Sequence, residues 1–101
     1  MAQRGCESMN LTFIERKTQL GPETRRYAEK KAAKLQKYFK DECEAALKVS
    51  FERGIYTVEL TVVAGHVVLR AQEKSGDETA AIDVVIGVIE RQIEKNKSRI
   101  D

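Results

Sequence analysis

Seven basic side chains fall between Pro22 and Lys40: Arg25, Arg26, Lys30, Lys31, Lys34, Lys37 and Lys40. Only two acids, Glu23 and Glu29, share that stretch. Arg26, Lys30, Lys34 and Lys37 are spaced four, four and three apart, which on a helix sets them along one stripe. Cations at that spacing repel by roughly a few tenths of a kcal/mol per pair, and an anionic partner relieves the repulsion. Most charged helix faces are simply solvated, but a solvated face mixes its signs, and here the bias is seven to two. The pattern points to a polyanion, RNA above all, held by phosphate contacts that give affinity and salt dependence but no sequence readout. A second basic cluster, Arg91, Lys95, Lys97 and Arg99, has Glu94 as its nearby acid. Basic residues at the end of a helix complement its dipole, so this cluster by itself says little. If the two helices lie side by side, however, their basic segments flank one groove suited to an RNA backbone.

Other chemistry finds little footing. No nucleophile sits in a recognisable context with a base, and no glycine-rich loop is placed to cradle a phosphate. Asp83 and Glu90 lie seven apart on one helix, with nothing around them that suggests a pocket. The two cysteines, Cys6 and Cys43, form no C-x-x-C pattern, and the single histidine, His66, is distant from both in sequence. A structural zinc site needs about four ligands, so neither a metal nor another cofactor is implied. Tyr27 and Tyr38 have rings that could stack on bases, but their helical spacing beside Ala28 and Phe39 reads as the edge of a core. His66 reads as an exposed turn residue, and Cys43 as a small, half-buried filler ahead of a strand. The expectation is a binding module, not an enzyme and not a small-molecule binder.

The chain has 101 residues, enough for one domain, with 42% hydrophobic and 34% charged residues. Its net charge is only +2, so the uneven distribution of charge matters more than the total. Residues 1–8 show no periodicity and read as a loose extension, with the domain running over 9–101. They contain no apolar core of a signal peptide. No apolar run approaches the roughly 20 residues that span a bilayer. A membrane partner is therefore not expected, and the cytosol, with both thiols reduced, is the default compartment.

Asn10–Glu15 reads as a short strand with Leu11 and Phe13 on one side. Gly21-Pro22 opens a helix whose apolar stripe is Tyr27, Ala28, Ala32, Leu35 and Phe39. Three alternating segments follow, carrying Ala45, Leu47, Val49 and Phe51, then Tyr56, Val58, Leu60 and Val62, then Val67, Leu69 and Ala71. Turns at Gly54 and at Ala64-Gly65 make them an antiparallel meander with one face on the core. A last helix over about Asp77–Arg99 has Ile82, Val85, Ile86, Ile89, Ile93 and Ile100 as its core stripe. The order β-α-β-β-β-α, with one apolar face per element, predicts a two-layer α+β sandwich: a four-stranded sheet with both helices on one side.

Three stretches also resemble a known family. Leu69-Arg70-Ala71-Gln72-Glu73 followed by Asp77-Glu78-Thr79-Ala80-Ala81-Ile82-Asp83 is similar to the L-R-A-E-E…D-x-Y-A-A-I-D signature of the ribosome hibernation-promoting factor and ribosome-associated inhibitor family, formerly the sigma-54 modulation proteins. Glu90-Arg91-Gln92-Ile93 with Lys95 and Lys97 resembles that family's E/A-R-Q-L-x-K-x-K, and Ala33-Lys34-Leu35 with Tyr38-Phe39 resembles its A-K-L-x-x-Y-F. The resemblance runs in order from about Met9 to Ile100. It implies a fold similar in layout to double-stranded-RNA-binding domains. It implies binding in the decoding channel of the small ribosomal subunit, over the A- and P-site region, through ribosomal RNA. Messenger and transfer RNA would be blocked and inactive 70S or 100S ribosomes stored, the protein being a monomer off the ribosome. By position, Arg25, Lys31 and Lys34 match on the first helix, and Arg91, Lys95, Lys97 and Arg99 on the last, each facing a phosphate. Arg26, Lys30 and Lys37 rest on charge alone. Thr79 departs from the family's tyrosine. Val88 stands where some members have lysine and, with Val84, leaves an apolar spot for a partner. The chain corresponds to a short member or to the N-terminal domain of a long one. General binding of structured RNA and a protein-interaction role, such as sigma-factor modulation, stand as alternatives.

Overall fold

The computed structural model describes residues 10–36, 43–64 and 67–95. Six elements follow one another: β1 (Asn10–Arg16), α1 (Pro22–Gln36), β2 (Cys43–Glu52), β3 (Ile55–Ala64), β4 (Val67–Ser75) and α2 (Glu78–Lys95). The strands form one sheet in the order β1-β2-β3-β4. β2, β3 and β4 are the expected antiparallel meander. β1, whose partner the sequence left open, pairs with β2 in parallel, with Phe13 opposite Leu47. A parallel neighbour requires the chain to cross back over the sheet, and α1 makes that crossing.

Alternation along the strands decides which side is covered. Cys43, Ala45, Leu47 and Val49 of β2, Val58, Leu60, Val62 and Ala64 of β3, and Leu69 and Ala71 of β4 are buried in one core. Ala28 and Leu35 of α1 join them, with Ala81, Ile82, Val85, Ile86, Ile89 and Ile93 of α2. Both helices therefore lie on the same face, and α2 packs over β3 and β4. The opposite face carries Glu44, Lys48, Val63, Val68 and Arg70 in the open, with Val63 directly across from Val68. Cys43 is fully buried where half-burial was expected. Burial raises its pKa and leaves it an inert filler.

Local chemistry fixes the ends of the helices. Gly21 accepts the first helical hydrogen bond of α1, from the Arg25 amide at 3.0 Å, and Pro22 follows it in the first turn. Asp77 caps α2 by accepting the Thr79 amide on its Oδ1 at 3.0 Å, while its own amide donates to Ser75 Oγ at 3.1 Å. The β2–β3 turn places Arg53 at φ 55° and Gly54 at φ 81°. Two positive φ angles in a two-residue loop are the geometry that matches the twist of the flanking strands. No described helix is long and apolar enough to cross a membrane.

Candidate nucleic-acid interface

α1 and α2 are joined by a row of polar contacts whose numbers rise together. Thr24 Oγ1 lies 3.4 Å from Glu78 Oε2. Tyr27 donates its hydroxyl to Asp83 Oδ1 at 2.8 Å, and Lys31 Nζ stands 3.8 Å from the same oxygen. Beyond these, Lys34 and Leu35 face Ile86, Gly87 and Glu90 across a groove. The helices therefore run parallel. Their first turns carry Glu23 and Glu78 at one end of the layer, and their last turns carry Lys34 and Lys95 at the other. Two parallel dipoles concentrate negative potential at the C-terminal end, and the lysines there offset it.

The sequence-predicted cations sort into three groups. Arg26, Lys30 and Lys34 of α1 and Arg91 and Lys95 of α2 are exposed. None of these five has an acid within ion-pairing distance among the described residues. Arg26 and Lys30 are one helical turn apart on the crest facing away from the sheet. Arg91 lies two turns beyond the exposed Val84 on the crest of α2.

Arg25 and Lys31 are engaged within the protein. Arg25 donates through Nη2 to both Glu15 oxygens at 3.1 Å and stacks over the Phe13 ring at 4.9 Å. Its side chain is 43% exposed against 17% for Glu15, so the pair lies on the seam where α1 crosses β1. Glu15 also accepts the Leu20 amide at 2.9 Å. That amide, and then Arg25, hold its carboxyl below the ordinary carboxylate pKa against partial desolvation. Lys31 lies between Asp83 and the Tyr27 ring, 5.6 Å from its centroid. Tyr27 is thus a core-edge residue, as its spacing suggested, and its hydrogen bond to Asp83 raises its pKa.

A third group, Lys37, Lys97 and Arg99, lies outside the described residues, as do Tyr38, His66 and the expected extension 1–8.

Two expectations need correction. The inter-helix groove is not lined by one sign. Lys31 and Lys34 form one wall, but Asp83 and Glu90 line the other. The clue was visible in the sequence: a spacing of seven puts both acids on one flank of α2, and the rotation of that helix turns the flank toward α1. The apolar spot beside the basic residues is also smaller than expected. Val88 is half-buried against the core, which leaves Val84 alone, at 43% exposed. Glu15, which restrains Arg25, was not singled out by sequence reasoning at all. Among the described residues no three His, Cys, Asp or Glu side chains converge as a metal site.

These features define a class of molecule: a single-layer sheet backing two parallel helices that carry exposed cations with no ion-pair partner among the described residues. The chain belongs to the Sigma 54 modulation protein / S30EA ribosomal protein family, whose model matches residues 11–101. It is 36% identical over 80 residues to the ribosome hibernation promotion factor of Staphylococcus aureus (strain COL). That match covers 76% of this chain but only 42% of the relative, so the chain spans less than half the length of that protein. Among solved structures, the N-terminal domain of Thermus thermophilus Protein Y superposes with a TM-score of 0.79 at 30% identity, covering 86% of this chain and 98% of that one. A ribosomal subunit interface protein from Coxiella burnetii gives a TM-score of 0.78 at 18% identity, covering 89% and 99%, and speaks to the fold alone.

Proposed function

We propose that this domain binds the small ribosomal subunit by laying its helix layer against ribosomal RNA in the decoding channel. There it excludes messenger and transfer RNA and holds the ribosome in a stored, inactive state. The observation that carries this reading is the row Arg26, Lys30 and Lys34, exposed on one helix and lacking acids within ion-pairing distance among the described residues. Arg91 and Lys95 extend it onto the neighbouring helix. Family membership and the names of the relatives supply the ribosome as the polyanion. On this reading the action is occupancy. The domain supplies no reacting group, and its work is to place positive charge on a rigid, channel-filling shape.

Co-sedimentation with purified small subunits tests the proposal. The wild-type domain should travel with the subunits at low salt and leave them as salt rises. A variant with Arg26→Glu, Lys30→Glu and Lys34→Glu should stay at the top of the gradient while remaining folded. Arg25 is left intact in that variant, because Glu at 25 would stand against Glu15 and confound binding with folding. Undiminished binding by the triple variant would remove α1 from the interface. Equal affinity for a free RNA duplex and for subunits would replace the reading with general RNA binding.

A further inference from the structure

The acid in the middle of the helix groove has no place in a simple picture of phosphate binding. Asp83 accepts the Tyr27 hydroxyl at 2.8 Å and pairs with Lys31 at 3.8 Å through the same Oδ1. The two contacts differ in kind. The tyrosine bond is short and directional, and it anchors the carboxylate to the edge of the core. The lysine pair is long, and its partners are 35% and 55% exposed, so it is worth at most about 1 kcal/mol and exchanges readily. Lys31 is thus the one described cation of the α1 flank whose charge is already met inside the groove, while Lys34, one turn on, has no such pair.

We propose that Asp83 is a specificity-determining residue of the RNA surface: it withholds Lys31 from phosphates that touch only the helix crests and yields it to an RNA backbone that enters the groove. This rests on the proposed binding of RNA through the helix layer. Its physical basis is competition. A phosphate lying across Arg26 and Lys30 meets the crest cations but not Lys31. The groove behind them carries Asp83, which disfavours a second anion. Only an RNA whose curvature brings a phosphate down between the helices recovers Lys31 by displacing its contact with Asp83. Generic duplex RNA gains one cation fewer than a shape-matched site does. Tyr27 acts as the positioning residue, because its hydroxyl fixes the carboxylate where it can reach Lys31.

Asp83→Asn is the direct test, since the amide keeps the shape and can still accept from Tyr27 while losing the charge. Binding to a generic RNA duplex and to small ribosomal subunits is measured side by side across a salt series. Duplex affinity should rise about two- to fivefold. The slope of log affinity against log salt should steepen by about one unit as Lys31 joins the phosphate contacts. Binding to subunits should change less, so discrimination between the two RNAs falls. In a Lys31→Gln background the same substitution should leave the slope unchanged, a readout that a merely structural role for Asp83 would not produce. Tyr27→Phe, with the charge retained, should give a smaller effect in the same direction. An unaltered duplex slope in Asp83→Asn, or the same steepening without Lys31, overturns the proposal. Failure of the wild-type domain to bind subunits would sink the ribosomal reading instead, while the duplex series would still decide the role of Asp83.

Discussion

At the scale of single residues, the structure separates cations that pair with acids of the chain from cations that do not among the described residues, a distinction that charge counting cannot make. Arg25 and Lys31 match the family by position, yet each contacts an acid of its own chain. Arg26 and Lys30 rested on charge alone in the sequence, yet they are exposed, as are the family-matched Lys34, Arg91 and Lys95. The Glu15–Arg25 pair gives a stability prediction with a definite sign. Glu15 has a lowered pKa in the folded state, so its contribution is present above the unfolded value and is lost as pH falls through the folded one. The melting temperature of the wild-type domain should therefore drop on acidification below the ordinary glutamate range, and Glu15→Gln should flatten part of that drop. Melting curves between neutral and strongly acidic pH would show it, and an identical acid limb in the two proteins would remove Glu15 as a source. Arg25→Gln should lower the melting temperature at neutral pH, whereas Arg26→Gln should leave it in place, because only Arg25 pairs with a carboxylate among the described residues.

At the scale of elements, the alternation of apolar residues made β2, β3 and β4 legible with the correct core face, and helical spacing did the same for α1 and α2. Those signals are local, and each repeats within its own segment. Three features were not legible because they depend on contacts between distant segments: the parallel pairing of β1 with β2, the parallel course of the two helices, and the rotation that turns Asp83 and Glu90 toward Lys31 and Lys34. The turns also carry predictions. Gly54 at φ 81° has open space where a Cβ would go, so Gly54→Ala is opposed by backbone conformation alone and should cost about 1 kcal/mol. Arg53 at φ 55° is a long side chain at a position that favours asparagine, so Arg53→Asn should stabilise the hairpin by about 0.5 kcal/mol. Asp77→Ala removes the cap of α2 and should cost about 1 kcal/mol. Chemical denaturation of the three variants decides among them. A neutral Gly54→Ala would show that the turn relaxes to another geometry.

At the scale of the whole molecule, the small net charge of +2 conceals a segregation by element. On the open sheet face Arg70 and Glu59 pair at 3.8 Å. The helix layer leaves Arg26, Lys30, Lys34, Arg91 and Lys95 unmatched among the described residues. The number of cations that meet phosphate is therefore measurable without locating the partner. Each phosphate neutralised contributes about −0.9 to the slope of log affinity against log salt for a duplex. If all five of these cations engage, the slope should lie near −4 to −5, on the order expected from that rule. Replacing Arg26, Lys30 and Lys34 with glutamine should bring it toward −2, because three of those contacts are gone. Neutral replacement is more informative here than charge reversal, since reversal adds repulsion and inflates the change. Affinity that falls while the slope holds would mean that the three side chains act through shape or packing, and that the charges meeting RNA lie elsewhere on the domain. A slope that shallows in proportion to the number of cations removed would identify the helix layer as the surface that RNA meets.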